Sequence, residues 1–371
     1  MSAYLTIMGG KALTYLFIIQ GEGRGHMTQA IALRSMLVAA GHKVPEVILG
    51  RNERRDIPAF FTNKIGCPVV GVASPNFVVD AQRKGIRIWP TIIQTTLRGT
   101  QYLKSLITMR ETFRRVKPDV VINFYDTLAG VACFLFRPSE SYVCLGHQYL
   151  LGHPDFLFPK GMRIDRYLFQ LNTWWTALNA TELLGLSFQQ MRDVPALKIR
   201  VVPPLLRSEV TSSTPTEGEY FLAYMVNDGY AEEIMAQHEA HPDLKIEAFW
   251  DRRGVQNPHV VRPGLEFHQI DDKKFLDMMR GCRGYLTTAG FESVCEALYF
   301  GKPVYMVPTA GHIEQRCNAL DATRAGAGIW GTSFDLARFK EYLPKHDKNS
   351  KRFQDWVQSA PRRFLQALAL G

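Results

Sequence analysis

The sequence predicts an α/β protein built as two Rossmann-like domains facing across a cleft. Short apolar runs alternate with helical patterns from residue 15 onward, the pattern of a parallel sheet wound with helices. The alternation breaks near position 203 in a stretch rich in Pro, Ser, Thr and Glu, and then starts again. The 371 residues suffice for two domains with substantial cores.

The first run, YLFIIQ at 15–20, is apolar almost throughout and reads as a strand buried on both faces. GEGRGH follows at 21–26. MTQAIALRSMLVAAG then sets Ala30, Leu33, Leu37 and Ala40 on one helical stripe, with Gly41 as its C-cap. KVPEVILG, CPVVGVA, DVVINFYD and SYVCLGH are the next strand candidates. VVPPLLRSEVTSSTPTEGE reads as a linker. Beyond it YFLAYMV, KIEAFW, GLEFHQI, GYLTT and PVYMVP form the second set of strands. The expected domains are 1–202 and 203–345, with the helices of 346–371 returning to the first. Parallel sheets bind ligands at the carboxyl ends of their strands, which points to the cleft between the domains.

Composition narrows the function classes. Hydrophobic residues make up 46% and charged residues 21%, an ordinary globular mix. No window approaches eighteen uncharged apolar residues, so no membrane-spanning helix is expected. The first residues lack a basic start and a small-residue cleavage site, so secretion is not expected, and Met8 is an alternative start. The six cysteines show no C-x-x-C spacing and read as reduced side chains of a cytoplasmic protein, without a metal site. The net charge of +9 is uneven: between Arg83 and Lys117 nine Lys/Arg stand against Glu111 alone, which points to an anionic partner.

The glycine turn has the G-x-G spacing, but His26–Met27 stand where a dinucleotide site needs its third glycine. Gly50–Arg51 stand where that site needs an acid. His26 falls at the carboxyl end of the first strand, and Asp126 at the equivalent edge of DVVINFYD. A carboxylate that accepts an imidazole N–H fixes its tautomer and raises its basicity, which makes a general base. Asp126 is equally placed to cap the helix TLAGVACF, and the sequence leaves both roles open. His147 and Gln148 stand at another strand end of the same half, as cleft residues or as structural ones.

The sharpest pattern lies at 285–329. A strand ends in Thr288–Ala289–Gly290 and a helix starts there; small residues let the N–H groups of a helix end approach a phosphate. On that helix Phe291, Val294 and Leu298 form the expected buried stripe, with Glu292, Glu296 and Tyr299 on the other face. Like charges four residues apart repel, so Glu292 and Glu296 together call for a reason. After Gly301 and Pro303, the loop TAGHIEQ enters another helix with Glu314, Gln315 and Asn318 near its start, a set that suits a polyol such as a sugar.

This stretch resembles the nucleotide-binding signature of GT-B glycosyltransferases. Two branches are similar: the inverting transferases that use UDP-sugars, and the GlcNAc transferase acting on lipid-linked peptidoglycan precursors. The resemblance implies that Thr288, Ala289, Gly290 and Ser293 lie on the phosphate side, that Glu296 holds the ribose, and that Glu314–Gln315 hold the sugar. Asn318–Ala319 match the closing Asn–Ala of that pattern. Gly25–His26 are similar to the family's Gly–His turn on the acceptor side, and Tyr125–Asp126 to the position of its dyad aspartate. Thr288–Ala289 replace the His–Cys pair of the plant-type branch, so phosphate contact falls to hydroxyl and backbone, with His312 as a further contributor. Glu314 replaces the commoner Asp.

The implied reaction is inverting, metal-independent transfer of a hexosyl or N-acetylhexosaminyl group. The nucleotide-sugar is a co-substrate and no cofactor is expected; the adjacent acids Asp271–Asp272 fall at a helix start. His26 is the expected base, supported by Asp126. A sugar-nucleotide epimerase of the same fold is the rival enzyme. No helix-turn-helix, zinc-finger or stacking motif accompanies the basic window, so no nucleic-acid partner is expected. That window interleaves its charges with Ile86, Trp89 and Leu103. This predicts peripheral contact with an anionic membrane on its inner leaflet, and a lipid-linked acceptor.

Overall fold

The computed structural model describes residues 11–21, 23–51, 57–75, 99–225, 228–252 and 254–369, with the backbone of two short strands at 78–79 and 86–87. Arg83, Lys84, Trp89 and Arg98 of the basic window lie outside the described residues, as does the Arg87 side chain.

The first sheet is built from β1 (Tyr15–Gln20), β2 (Val47–Arg51), β3 (Val69–Ala73), β6 (Val120–Phe124), β7 (Ser141–Gly146), β8 (Glu182–Leu186) and β9 (Ile199–Val202). The pair β4 (Val78–Val79) and β5 (Ile86–Arg87) forms a small separate ladder. The crossovers carry helices α1 (Gly25–Ala39), α2 (Ala59–Ile65), α3 (Gly99–Val116), α4 (Thr127–Phe136) and α5 (Arg163–Thr176). The seven strands are parallel in the order β3-β2-β1-β6-β7-β8-β9. Tyr15–Ile19 of β1 and Val120–Ile122 of β6 are fully buried, as central strands covered on both faces must be.

After the short helix α6 (Ser208–Thr211), the second sheet comprises β10 (Tyr220–Tyr224), β11 (Lys245–Trp250), β12 (His259–Arg262), β13 (Leu265–Gln269), β14 (Gly284–Thr287), β15 (Val304–Met306) and β16 (Gly328–Trp330). Its helices are α7 (Ala231–Ala240), α8 (Asp272–Gly281), α9 (Phe291–Tyr299), α10 (Ile313–Arg324) and α11 (Leu336–Tyr342). The order is β12-β13-β11-β10-β14-β15-β16, parallel except for β12. Helices α12 (Lys351–Gln358) and α13 (Ala360–Leu368) return to the first sheet. There Trp356 Nε1 donates to Ser187 O at 2.9 Å and Tyr15 Oη to Leu368 O at 3.0 Å.

Strand order reverses between β1 and β6 in the first sheet, and between β10 and β14 in the second. Crevices at such switch points are where open α/β sheets bind ligands. The turns after β6 and β14 carry a matching feature. Tyr125 (φ 63°) and Ala289 (φ 62°) are non-glycine residues in the left-handed region, each placed immediately before an N-cap. Such backbone strain is retained where a site over-determines it.

The stretch read as a linker departs from that reading. Pro203–Leu206 are buried and Arg207 is held between two acids, so only the Ser/Thr-rich part behaves as surface. Four residues without a polar side chain, Pro-Pro-Leu-Leu, prefer the interior to water.

Candidate functional site

The β1–α1 turn supplies His26 in the first turn of α1. Its ring stacks on Tyr125 with centroids 6.1 Å apart and planes at 23°. Burial lowers its pKa to about 4, with Gln29 working the other way, so the imidazole is neutral near pH 7. Gly25 faces the other domain: a methyl there would sit 3.7 Å from Glu292 Cβ.

Asp126 does not join His26. One carboxylate oxygen accepts from Ala129 N at 2.9 Å, which caps α4, and the other accepts from Ser74 Oγ at 2.6 Å. Gly50 clears the space, since a Cβ there would lie 2.2 Å from Asp126 Oδ2. Among the described residues no hydrogen bond or ion pair links Asp126 to His26, and His26 Nδ1 has no partner. Burial raises the Asp126 pKa, opposed by Ser74 and by the backbone N–H groups of α4. The aspartate at the strand end is therefore the cap, and the expected dyad contact is corrected.

The β14–α9 turn forms the opposite wall. Gly290 is the N-cap and offers no side chain, so the N–H groups of Phe291, Glu292 and Ser293 are left without an intrahelical partner. Beside them Thr288 is fully buried and its Oγ1 carries no hydrogen bond. Asn318 Nδ2 reaches back from α10 to Ala289 O at 3.1 Å and steadies the strained turn. Ser293 Oγ turns to Gly290 O at 3.4 Å.

Helix α9 is buried all round, not amphipathic as the spacing suggested. Its second face meets the first domain and the incoming chain. Glu292 Oε2 accepts from Gln29 Nε2 of α1 at 3.0 Å. Burial, and then the neighbouring Glu296, push the Glu292 pKa up to about 8, so the carboxyl is protonated at neutral pH. That eases the like-charge pair, and Glu296 itself lies against the Arg207 guanidinium. Glu296 is 1% exposed, and its Oε1 takes Arg207 Nε at 2.8 Å while Oε2 is unpartnered. Arg207 also pairs with Asp272, which binds Lys64 of α2 at 2.8 Å. Asp271 caps α8 through Lys274 N at 2.7 Å, so both adjacent acids have structural partners.

In the first turn of α10, Glu314 Oε1 accepts from Gln148 Nε2 of the first domain at 3.0 Å. Gln315 folds its carbonyl onto Thr309 N at 2.7 Å, shaping its own loop. His312 is the N-cap of α10, and burial lowers its pKa to about 4. His147 is 4% exposed, stacked on Phe291 at 4.6 Å, with Nδ1 on Leu186 O at 2.7 Å and Nε2 3.7 Å from Asp321 Oδ2. It is a packing residue between the domains.

The structure thus brings Gly25 of the β1–α1 turn against Glu292 beside Thr288 and Gly290, and Gln148 against Glu314, while Glu296 lies further along α9 with Arg207. Sequence reasoning missed Gln29, Arg207 and Asp321. Gln29 lies one turn beyond His26 on the same helix face, a signal available from spacing alone. Arg207 was hidden by its Pro/Ser-rich surroundings. Among the described residues one acid–histidine group, Glu247, Glu266 and His268, has the spacing of metal ligands. Lys245 and Lys274 already bind two of its members at 3.0 Å.

The sequence profile of Glycosyl transferase family 1 matches residues 13–346. An uncharacterized glycosyltransferase of Methanosarcina acetivorans is 22% identical over 339 residues, 84% of each chain. In structure the chain is similar to a spinosyn rhamnosyltransferase, at 13% identity, TM-score 0.62, and 96% of this chain against 100% of that one. It is also similar to a UDP-glucosyltransferase from Polygonum tinctorium, at 13% identity, TM-score 0.58, and 98% against 96%. With two Rossmann-like sheets facing across a cleft and the profile spanning both, this chain belongs to glycosyl transferase family 1 and has the GT-B glycosyltransferase fold.

Proposed function

We propose that the protein is an inverting, metal-independent glycosyltransferase that moves a hexosyl or N-acetylhexosaminyl group from a UDP-sugar to a hydroxyl acceptor. One observation carries the reading. Buried polar atoms without hydrogen-bond partners stand on the two facing turns and their neighbours, among them His26 Nδ1, Gln148 Oε1, Thr288 Oγ1, Glu292 Oε1, Glu296 Oε2 and Asn318 Oδ1. Buried polar atoms are almost always paired, so a cluster of orphans is the signature of a polar ligand site.

In this mechanism the neutral His26 takes the proton of the acceptor hydroxyl, and the oxygen attacks the anomeric carbon. The bond from that carbon to the diphosphate breaks with its electron pair on the leaving group. The free N–H groups of Phe291, Glu292 and Ser293, the helix dipole and Thr288 Oγ1 receive the developing charge. A protonated Glu292 adds no repulsion there. Glu296 Oε2 accepts from the ribose hydroxyls, and Glu314 with Gln315 hold the sugar. The imidazolium faces the Tyr125 ring, which contributes cation–π stabilisation in place of a carboxylate.

The test is a donor screen with UDP-, GDP- and dTDP-sugars in the presence of a metal chelator. The expected result is nucleoside diphosphate release, UDP first, and an inverted anomeric centre in the product by NMR. A retained configuration, or activity that disappears with the chelator, would sink the mechanism.

A further inference from the structure

Helix α5 is built with its apolar side outward. The inner arc carries Phe169, Asn172, Thr173 and Thr176; Tyr125 Oη lies 2.7 Å from Thr173 Oγ1 and accepts from Asn172 Nδ2 at 3.2 Å. The outer arc carries Ile164, Tyr167, Leu171, Trp174 and Trp175, with Ile164 75% and Trp174 58% exposed. Their spacing places all five within one arc of about 100°. A helix with this face would normally bury it.

The neighbours extend the same face. Of thirteen exposed large apolar side chains among the described residues, ten fall between Leu103 and Trp175, on α3, α4, α5 and the loop before α5. Helix α4 packs between α3 and α5 on one side of the sheet. Gly130 lets α4 and α5 close together, since a Cβ there would lie 2.0 Å from Trp175 O. Exposed cations stand around these residues: Lys104, Arg110 and Arg114 on α3, and Arg163 and Arg166 on α5. Exposed apolar side chains concentrated on one group of packed helices mark an interaction site.

Charge selects the occupant. A second copy docked on this face would bring its own basic helices against these. An anionic bilayer accepts both features, Trp and Tyr at the headgroup level and Lys/Arg on the phosphates. We propose that α5 lies in the interface of an anionic lipid bilayer, with Tyr167, Trp174 and Trp175 inserted and the α3 bases on the headgroups. The α3 bases belong to the basic window of 83–117, and the apolar component is a helix, α5, that lies beyond it in the chain. Resting on the proposed role of His26, the placement has a consequence. The inner arc of α5 holds Tyr125, which stacks on His26, so the docked helix sets the base about one helix diameter from the membrane surface.

Co-sedimentation of the full chain, without donor, tests it. Vesicles of phosphatidylcholine alone are compared with vesicles containing about 30% phosphatidylglycerol. Binding should require the anionic lipid and weaken with salt. It should fall about tenfold or more in W174S/W175S, whose exposed positions leave circular dichroism unchanged. R110S/R114S should lower binding to the anionic vesicles. Wild-type protein left in the supernatant, or W174S/W175S bound like wild type, would overturn the proposal. So would a concentration-dependent dimer that the same tryptophan substitutions abolish, with no vesicle binding, because it would assign the face to a second copy. Vesicle binding that persists alongside a failed donor screen would count against the transfer mechanism alone.

Discussion

His26→Ala lowers kcat for sugar transfer by about 10²–10⁴-fold, while the affinity for the nucleoside diphosphate stays within about threefold of wild type. The asymmetry follows from the geometry: His26 sits in the first turn of α1, and the amides proposed to hold the diphosphate sit at the amino end of α9 in the other domain. A pH–rate profile adds a second readout. The base works deprotonated, and burial lowers its pKa to about 4 from an ordinary 6.5. Activity should therefore hold through pH 6 and fall only as pH drops through about 4. Asp126→Asn should leave that acid limb in place, because the Asp126 carboxylate binds Ser74 and Ala129. Turnover near wild type in His26→Ala, or an acid limb that moves in Asp126→Asn, would contradict these roles.

Glu296→Ala weakens nucleoside diphosphate binding by about 1.5–3 kcal/mol, the range of charge-assisted hydrogen bonds. It also lowers stability. Arg207 is 10% exposed at its side chain and would keep Asp272 as its remaining acid. The loss is expected at roughly 3 kcal/mol, the low end for breaking a buried ion pair. Arg207→Met separates the two effects. It leaves Glu296 buried with its charge uncompensated, so the folded-state pKa of Glu296 rises further than burial already raises it. A carboxyl whose folded pKa exceeds its unfolded value loses stability as pH rises, so the Arg207→Met deficit should shrink under acid and grow toward pH 8. Calorimetry and thermal melts across pH measure both. An unchanged nucleotide affinity in folded Glu296→Ala would remove Glu296 from the ribose site.

The architecture was legible because it rests on local rules. Buried parallel strands such as YLFIIQ are continuous apolar runs, and the Thr288–Gly290 turn shows itself by small residues between a strand and a helix. What was not legible depends on partners far away in sequence. An aspartate after a strand suits a cap and a dyad equally, and only the position of Ser74 beside Asp126 separates them. Periodicity predicts one buried face for α9, but this helix lies at the junction of two domains and is covered by Gln29 and Arg207 as well. The opposite error would arise at α5. There the stripe from Ile164 to Trp175 has the spacing of a core face, and the structure turns it to solvent.

The central claim is that the amino end of α9 holds the donor diphosphate opposite His26, and the position of a bound nucleotide tests it most directly. A crystal structure with UDP should place diphosphate oxygens within hydrogen-bond distance of the N–H groups of Phe291, Glu292 and Ser293 and of Thr288 Oγ1, with ribose hydroxyls on Glu296. A nucleotide seated elsewhere on the protein, or none at this turn at saturating UDP, would contradict it.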